Sequence, residues 1–211
     1  MLTRCAKTEA GRFRCPRPAK LDPVTSASLP GVYRLTYSDW LTTPDDGLRR
    51  EILEGELYVT PPPTVTHQRV SREIEFLLLT YLRKHASGEV LDAPVGMRLS
   101  DEDVLEPDIL VVLHGGLATI DERAVLGPAD VVIEILSPGT AKRDLGAKRR
   151  IYEAAGVREY WIVDPEAQAI EVLLLEARAY VRHGLFRRDA TLTSQVLPGF
   201  ELAVGDVFTV R

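Results

Sequence analysis

Two strand-length runs of mostly β-branched residues, Ile109-Leu110-Val111-Val112 and Val131-Val132-Ile133-Glu134-Ile135-Leu136, limit what this 211-residue chain can fold into. Each run carries one acid that simple burial does not explain. Asp108 opens the first behind Pro107, and Glu134 sits inside the second. A carboxylate in such a strand is costly unless it is paired, protonated or bound to a metal.

The segments around these runs supply the rest of a layered fold. Residues 1–30 lack periodicity and contain Pro16, Pro18, Pro23 and Pro30, so a flexible lead-in is expected there, with a single domain over residues 31–211. Ser38-Asp39-Trp40-Leu41 predicts a short helical turn capped by Ser38. Glu51 to Val59 predicts a hairpin turning at Gly55 and ended by Pro61-Pro62-Pro63. From Thr66 to Lys84, Val70, Ile74, Leu77, Leu78 and Tyr81 recur at helical spacing. Short strands are expected near Glu89–Asp92 and Val95–Leu99, and loop from His114 to Asp130. A second helix is expected over Ala141–Ala155, stopped by Gly156, with Ser137 and Thr140 as caps. Tyr160–Asp164 and Ala169–Leu175 read as a strand pair, with Tyr160 and Trp161 in the core. Short antiparallel strands, ending in Asp206-Val207-Phe208-Thr209-Val210, complete an α+β (or α/β) reading: a mixed central sheet flanked by helices.

Composition narrows the function classes. Apolar residues at 45% and charged residues at 27% are ordinary for a globular protein with a real core. No run approaches the ~20 apolar residues of a membrane span, and no cleavable leader opens the chain. Cys5 and Cys15 make neither a disulfide scaffold nor a zinc site, so a cytoplasmic protein with reduced thiols is expected. The net charge is −5, but six cations against Glu9 make residues 1–20 basic. The remainder is therefore more acidic than the total, which weighs against a broad nucleic-acid-binding surface.

Period-two alternation puts Asp108, Leu110 and Val112 on one strand face and Ile109 and Val111 on the other. Asp108 alone is equally well read as a strand-end carboxylate capping a neighbouring amide. For Glu134 the structural alternative is an ion pair with Arg143 or Lys148. A hard cation such as Mg²⁺ would accommodate both acids, with the Ile135 carbonyl as third ligand and several retained waters. A cation of that kind acidifies water for in-line attack on phosphorus. Asp144, Lys148 and Tyr152 fall on one helical face, so Lys148 can supply the positive charge that phosphate-ester cleavage needs. Otherwise Asp144 and Lys148 form a surface pair worth about 0.3–0.5 kcal/mol. The constellation points to a divalent-metal phosphodiesterase centre.

These residues resemble the PD-(D/E)xK motif of the restriction-endonuclease-like superfamily, and are most similar to its Uma-two branch of bacterial endonucleases. The stretches that carry the resemblance are Glu51-Ile-Leu-Glu-Gly-Glu56, His67 after the prolines, Glu106-Pro-Asp-Ile109, Ile133-Glu-Ile-Leu-Ser-Pro138, Asp144 with Lys148, and Gly156-Val-Arg-Glu-Tyr-Trp-Ile-Val-Asp164. Together they span roughly residues 35–205. The resemblance implies a restriction-endonuclease-like core and a metal-dependent endonuclease acting on DNA. It implies Mg²⁺ or Mn²⁺ held by Asp108, Glu134 and Ile135, and a catalytic set of Asp108, Glu134, Lys148 and Glu51. The superfamily lysine belongs two residues after the acid, where this chain has Leu136; the resemblance implies that Lys148 takes its place. Glu51 is the additional acid, with Glu56 in reserve, and the homodimer common in the superfamily is carried over with it. His67 either meets a phosphate or bonds local backbone.

Two other functions compete. Leu136 in the lysine position suits a nuclease-like binding module that cleaves weakly or not at all. A hydrolase of small phosphoesters is opposed by the scatter of His67, His85, His114 and His183. No G-x-S-x-G elbow supports a serine nucleophile. Arg143, Lys148, Arg149 and Arg150 form a basic cluster expected beside the site.

Overall fold

The computed structural model describes residues 33–44, 46–137, 139 and 143–209, together with the dipeptides Ala6–Lys7 and Phe13–Arg14, which pair antiparallel. The expected flexible lead-in otherwise lies outside the described residues, as does Thr140. The chain divides into two units, Met1–Val32 and Tyr33–Arg211, and the elements below belong to the second.

The expected hairpin is present: β1 (Arg49–Leu53) and β2 (Glu56–Thr60) turn through Glu54 and Gly55, both at positive φ, 51° and 78°. The prolines end it because they have no amide to donate. Thr64 then caps helix α1 (Val65–His85), its hydroxyl accepting the His67 amide at 3.2 Å. Val70, Ile74, Leu78 and Leu82 form the helix's buried stripe.

Then come β3 (Gly88–Asp92), β4 (Gly96–Arg98), β5 (Val104–Leu105), β6 (Ile109–Leu113), β7 (Thr119–Ile120), β8 (Ala124–Leu126) and β9 (Val131–Ile135). A π-helical turn, Asp144–Lys148, runs into helix α2 (Arg149–Ala155), which Gly156 stops at φ 95°. Strands β10 (Glu159–Asp164), β11 (Ala169–Glu176) and β12 (Ala179–Arg187) follow.

The main sheet has the order β12-β11-β10-β9-β6-β3 and the second β2-β1-β5-β4-β8-β7. Both are mixed. In the main sheet only β9 and β10 run parallel, and the segment carrying α2 makes the crossover that such a pair requires. One face of the main sheet, with Ile109, Val111, Val131 and Ile133, packs under the α1 stripe and a C-terminal segment including Leu197 and Phe200. The other face, with Leu110, Val112 and Val132, packs against Leu53, Met97 and Leu105 of the second sheet and Tyr152 of α2. The predicted alternation of 108–112 therefore holds, as do the buried Tyr160 and Trp161.

Four local expectations are corrected. The short N-terminal helix is Tyr37–Trp40, with Thr36 at its N-cap rather than Ser38; the Asp39 carboxylate accepts the Thr36 amide and hydroxyl, each at 2.8 Å. The supposed loop 114–130 holds β7 and β8, too short to show alternation. The described start of the second helix is a π turn, because four- and five-residue hydrogen-bonded turns leave the same pattern over so short a span. Near the C-terminus, Val204–Val207 is a helical turn that buries Val204 and Val207 together, not a strand. Among the described residues, no helix is long and apolar enough to cross a membrane.

Candidate active site

Asp108 and Glu134 meet because β6 and β9 pair antiparallel. Val132 stands opposite Leu110 and Ile133 opposite Ile109, so one further step sets Glu134 opposite Asp108 on the face turned to the second sheet. There β1 contributes Arg49 and Glu51, both on one side of that strand, and the π turn contributes Asp144 and Lys148. These side chains, with Ile135, His67 and Arg143, line one cavity of about 220 Å³. The hairpin, the prolines and the cap of α1 thus bring the second sheet's charges to the main sheet's acids.

The charges are almost wholly buried: Glu51 is 1% exposed, Asp108 4%, Glu134 2% and Lys148 2%. Lys148 Nζ lies 2.7 Å from Glu51 Oε1, 2.8 Å from Glu134 Oε1 and 3.6 Å from Asp144 Oδ1. The Tyr152 hydroxyl donates to the same Glu134 oxygen at 2.6 Å. Glu51 Oε1 also accepts the Glu106 amide at 3.0 Å, and Glu51 Oε2 lies 3.5 Å from Arg143. Asp108 Oδ2 accepts the Ile135 amide at 2.8 Å and lies 3.1 Å from His67 Nε2. Its Oδ1 accepts from Arg49 at 2.6 Å, and Arg49 also donates to the Glu106 carbonyl.

Burial pushes the Glu134 carboxyl above the usual carboxylate range; Lys148 opposes the rise, while Asp144, Asp108 and Glu51 add to it. Burial alone would lower Lys148, yet Glu134, Glu51 and Asp144 carry it above the ordinary lysine value, so it stays an ammonium. Burial is thus the main cause of the Glu134 rise, and the carboxylates of Glu134, Glu51 and Asp144 are the cause of the Lys148 rise. Asp108 goes the other way: burial would raise it, but His67, Arg49 and the Ile135 amide hold it well below the usual range.

Four carboxyl groups converging on one cavity suit a divalent cation, and an all-oxygen set of Asp108, Glu134 and the main chain of Ile135 is the chemistry of Mg²⁺ or Mn²⁺. The side-chain hydrogen bonds to Glu134 among the described residues, from Lys148 and Tyr152, both fall on Oε1. Among the described residues no three His, Cys, Asp or Glu side chains form a closed metal cage. Two carboxylates and one carbonyl would suit an ion that keeps most of its water.

Residues 36–205 match the sequence model of Uma2, described as "Putative restriction endonuclease". The chain belongs to the Uma2 family. A crystal structure titled as "a putative nuclease belonging to DUF820 from Anabaena variabilis ATCC 29413" superposes with a TM-score of 0.69 at 18% identity, covering 82% of this chain and 97% of that one. The likeness shows a shared nuclease-like α+β fold. No curated protein matches the chain.

All four sequence-predicted side chains of this Uma2 member, Asp108, Glu134, Lys148 and Glu51, reach the same cavity, and Ile135 lines it too. Glu56 does not: it is exposed and accepts from the Tyr58 hydroxyl. Lys148 and Asp144 are buried rather than a surface pair. His67 joins Asp108 in addition to its local cap. The expected basic cluster splits, with Arg143 lining the cavity while Arg150 turns toward Glu54 at 3.8 Å. Ser137 lines the cavity. Sequence reasoning missed Arg49; its signal was the two-residue spacing to Glu51 in a strand, which puts both on one face.

Proposed function

We propose that the chain is a divalent-metal-dependent endonuclease that hydrolyses phosphodiester bonds of DNA. The observation that carries the reading is the meeting of Asp108 and Glu134 on one sheet face, in a charged cavity walled by Lys148 and Glu51. Asp108, Glu134 and the Ile135 carbonyl would hold Mg²⁺ or Mn²⁺. When bound, such an ion supplies charge neutralisation at phosphate and acidifies water. Lys148 and Tyr152 fix the Glu134 carboxylate, and Lys148 adds positive charge to the cavity wall. Glu51 holds the ammonium in place and ties it to β1. Arg143 contributes positive charge at the cavity, stacked 5.3 Å over the Tyr58 ring. Arg69 and Arg72, exposed on α1 along a neighbouring groove, are placed to contact DNA phosphates.

A supercoiled-plasmid nicking assay tests this. Cleavage requiring Mg²⁺ or Mn²⁺ and lost in both Asp108→Ala and Glu134→Ala is expected; full activity in either variant removes these residues from the site. One observation favours a second reading, a nuclease-like binding module: Leu136 occupies the motif lysine's position. Mn²⁺ binding and DNA retention without any nicking would decide for it.

A further inference from the structure

Asp108 has one oxygen left to offer, and Arg49 holds it. Oδ2 already takes the Ile135 amide and His67, which uses both of its lone-pair directions. Oδ1 faces the Arg49 guanidinium at 2.6 Å. A divalent ion arriving at Oδ1 would share that oxygen with a buried guanidinium, and two cations on one oxygen repel at short range. Arg49 and the ion therefore compete for Oδ1. The next place for Arg49 is visible in the structure. Arg49 Nε and Glu106 Oε2 are both buried without a hydrogen-bond partner, and they stand 3.8 Å apart. Buried polar atoms left without a hydrogen bond in this way are costly, and a small shift of the guanidinium would tighten this loose ion pair into one.

We propose that metal loading is an exchange of cations, in which Arg49 is the resident counter-ion of Asp108 and Glu106 is the seat to which it moves. The inference rests on the nuclease reading for the identity of the metal site. It assigns roles to two side chains that touch neither the ion nor the substrate. Arg49 sets how tightly the ion is held by competing with it, and Glu106 eases that competition by receiving the guanidinium. Without a divalent ion Arg49 balances the charge of the buried Asp108 carboxylate, alongside its bonds from His67 and the Ile135 amide.

Isothermal titration of the metal-free protein with MnCl₂ tests the exchange independently of cleavage. Arg49→Gln is expected to tighten Mn²⁺ by about tenfold, and Glu106→Gln to weaken it by about threefold. The double variant should bind like Arg49→Gln alone, because Glu106 acts only through Arg49. Arg49→Lys, which keeps the charge on a shorter reach, covers the case in which Arg49→Gln does not fold; it should tighten Mn²⁺ by a smaller factor. Unchanged or weakened Mn²⁺ binding in the Arg49 variants, or additive effects in the double variant, overturns the proposal. Mn²⁺ exchange as predicted, with no nicking by the wild type, leaves the exchange standing and removes the nuclease reading. No Mn²⁺ binding by any variant removes both.

Discussion

Lys148 and Glu134 are locked together inside the protein, with Nζ 2.8 Å from Oε1 and neither side chain more than 3% exposed. The same ammonium reaches Glu51 on the other sheet at 2.7 Å. Removing one partner of such a pair leaves an uncompensated buried charge. Lys148→Met is therefore expected to lower the unfolding free energy by roughly 3–5 kcal/mol in urea titration. Adding Glu134→Gln should return part of the loss, and strictly additive effects would show that the two do not act as a pair.

Tyr152 gives a gentler probe of the same carboxylate. Its hydroxyl donates to Glu134 at 2.6 Å while its ring packs against Tyr160, with centroids 5.2 Å apart. Tyr152→Phe keeps the ring and removes one bond to a charged group, worth about 1.5–3 kcal/mol. Chemical denaturation should show a loss of that size with an unchanged m-value. No loss would mean that the hydroxyl does not stabilise the ionised acid.

Glu106 makes stability depend on pH. Burial pushes its carboxyl from 4.5 up to about 7, with Arg49 opposing the rise and Glu51 adding to it. Between these values the folded chain keeps a proton that the unfolded chain has released, so stability falls as pH rises and then levels above the folded value. The loss is roughly 3 kcal/mol for a shift of this size. Thermal midpoints of the metal-free protein in EDTA should decline from pH 4.5 to 7, and Glu106→Gln should make that decline shallower, the raised Glu134 carboxyl keeping part of it. An unaltered slope in the variant would assign the proton to another group.

Helix α1 ends on a residue that is not glycine. Ala86 closes it in the left-handed region at φ 47°. A Cβ there costs about 1–2 kcal/mol, part of which is returned because alanine restricts the unfolded chain more than glycine does. Ala86→Gly is expected to stabilise the protein by about 0.5–1 kcal/mol in denaturation. Destabilisation would show that the methyl group is held by packing.

The acids were legible in the sequence because two simple periods govern them. Alternation along 108–112 and 131–135 fixed which face each residue takes, and antiparallel pairing did the rest. Helix α1 and the hairpin were equally plain, since their spacing and their proline and glycine stops agree. What escaped was set by contacts between segments distant in the chain. Arg49 looks like any charged residue at the start of a strand until Asp108, fifty-nine positions later, comes to lie 2.6 Å away. Arg150 looked like part of a basic cluster, but the helix turns it toward Glu54. Strands β7 and β8 exist through pairing with each other and with β4, not through any pattern of their own.

The cavity's walls come from both layers: Arg49 and Glu51 belong to one sheet, Asp108 and Glu134 to the other. Until those layers close, neither has a dry interior in which its acids and bases can neutralise one another. Docking of the sheets and assembly of the charged cavity are consequently a single cooperative event. A partly denatured population should divide into molecules that hold the whole charge cluster and molecules that hold none of it, with no half-built form between them.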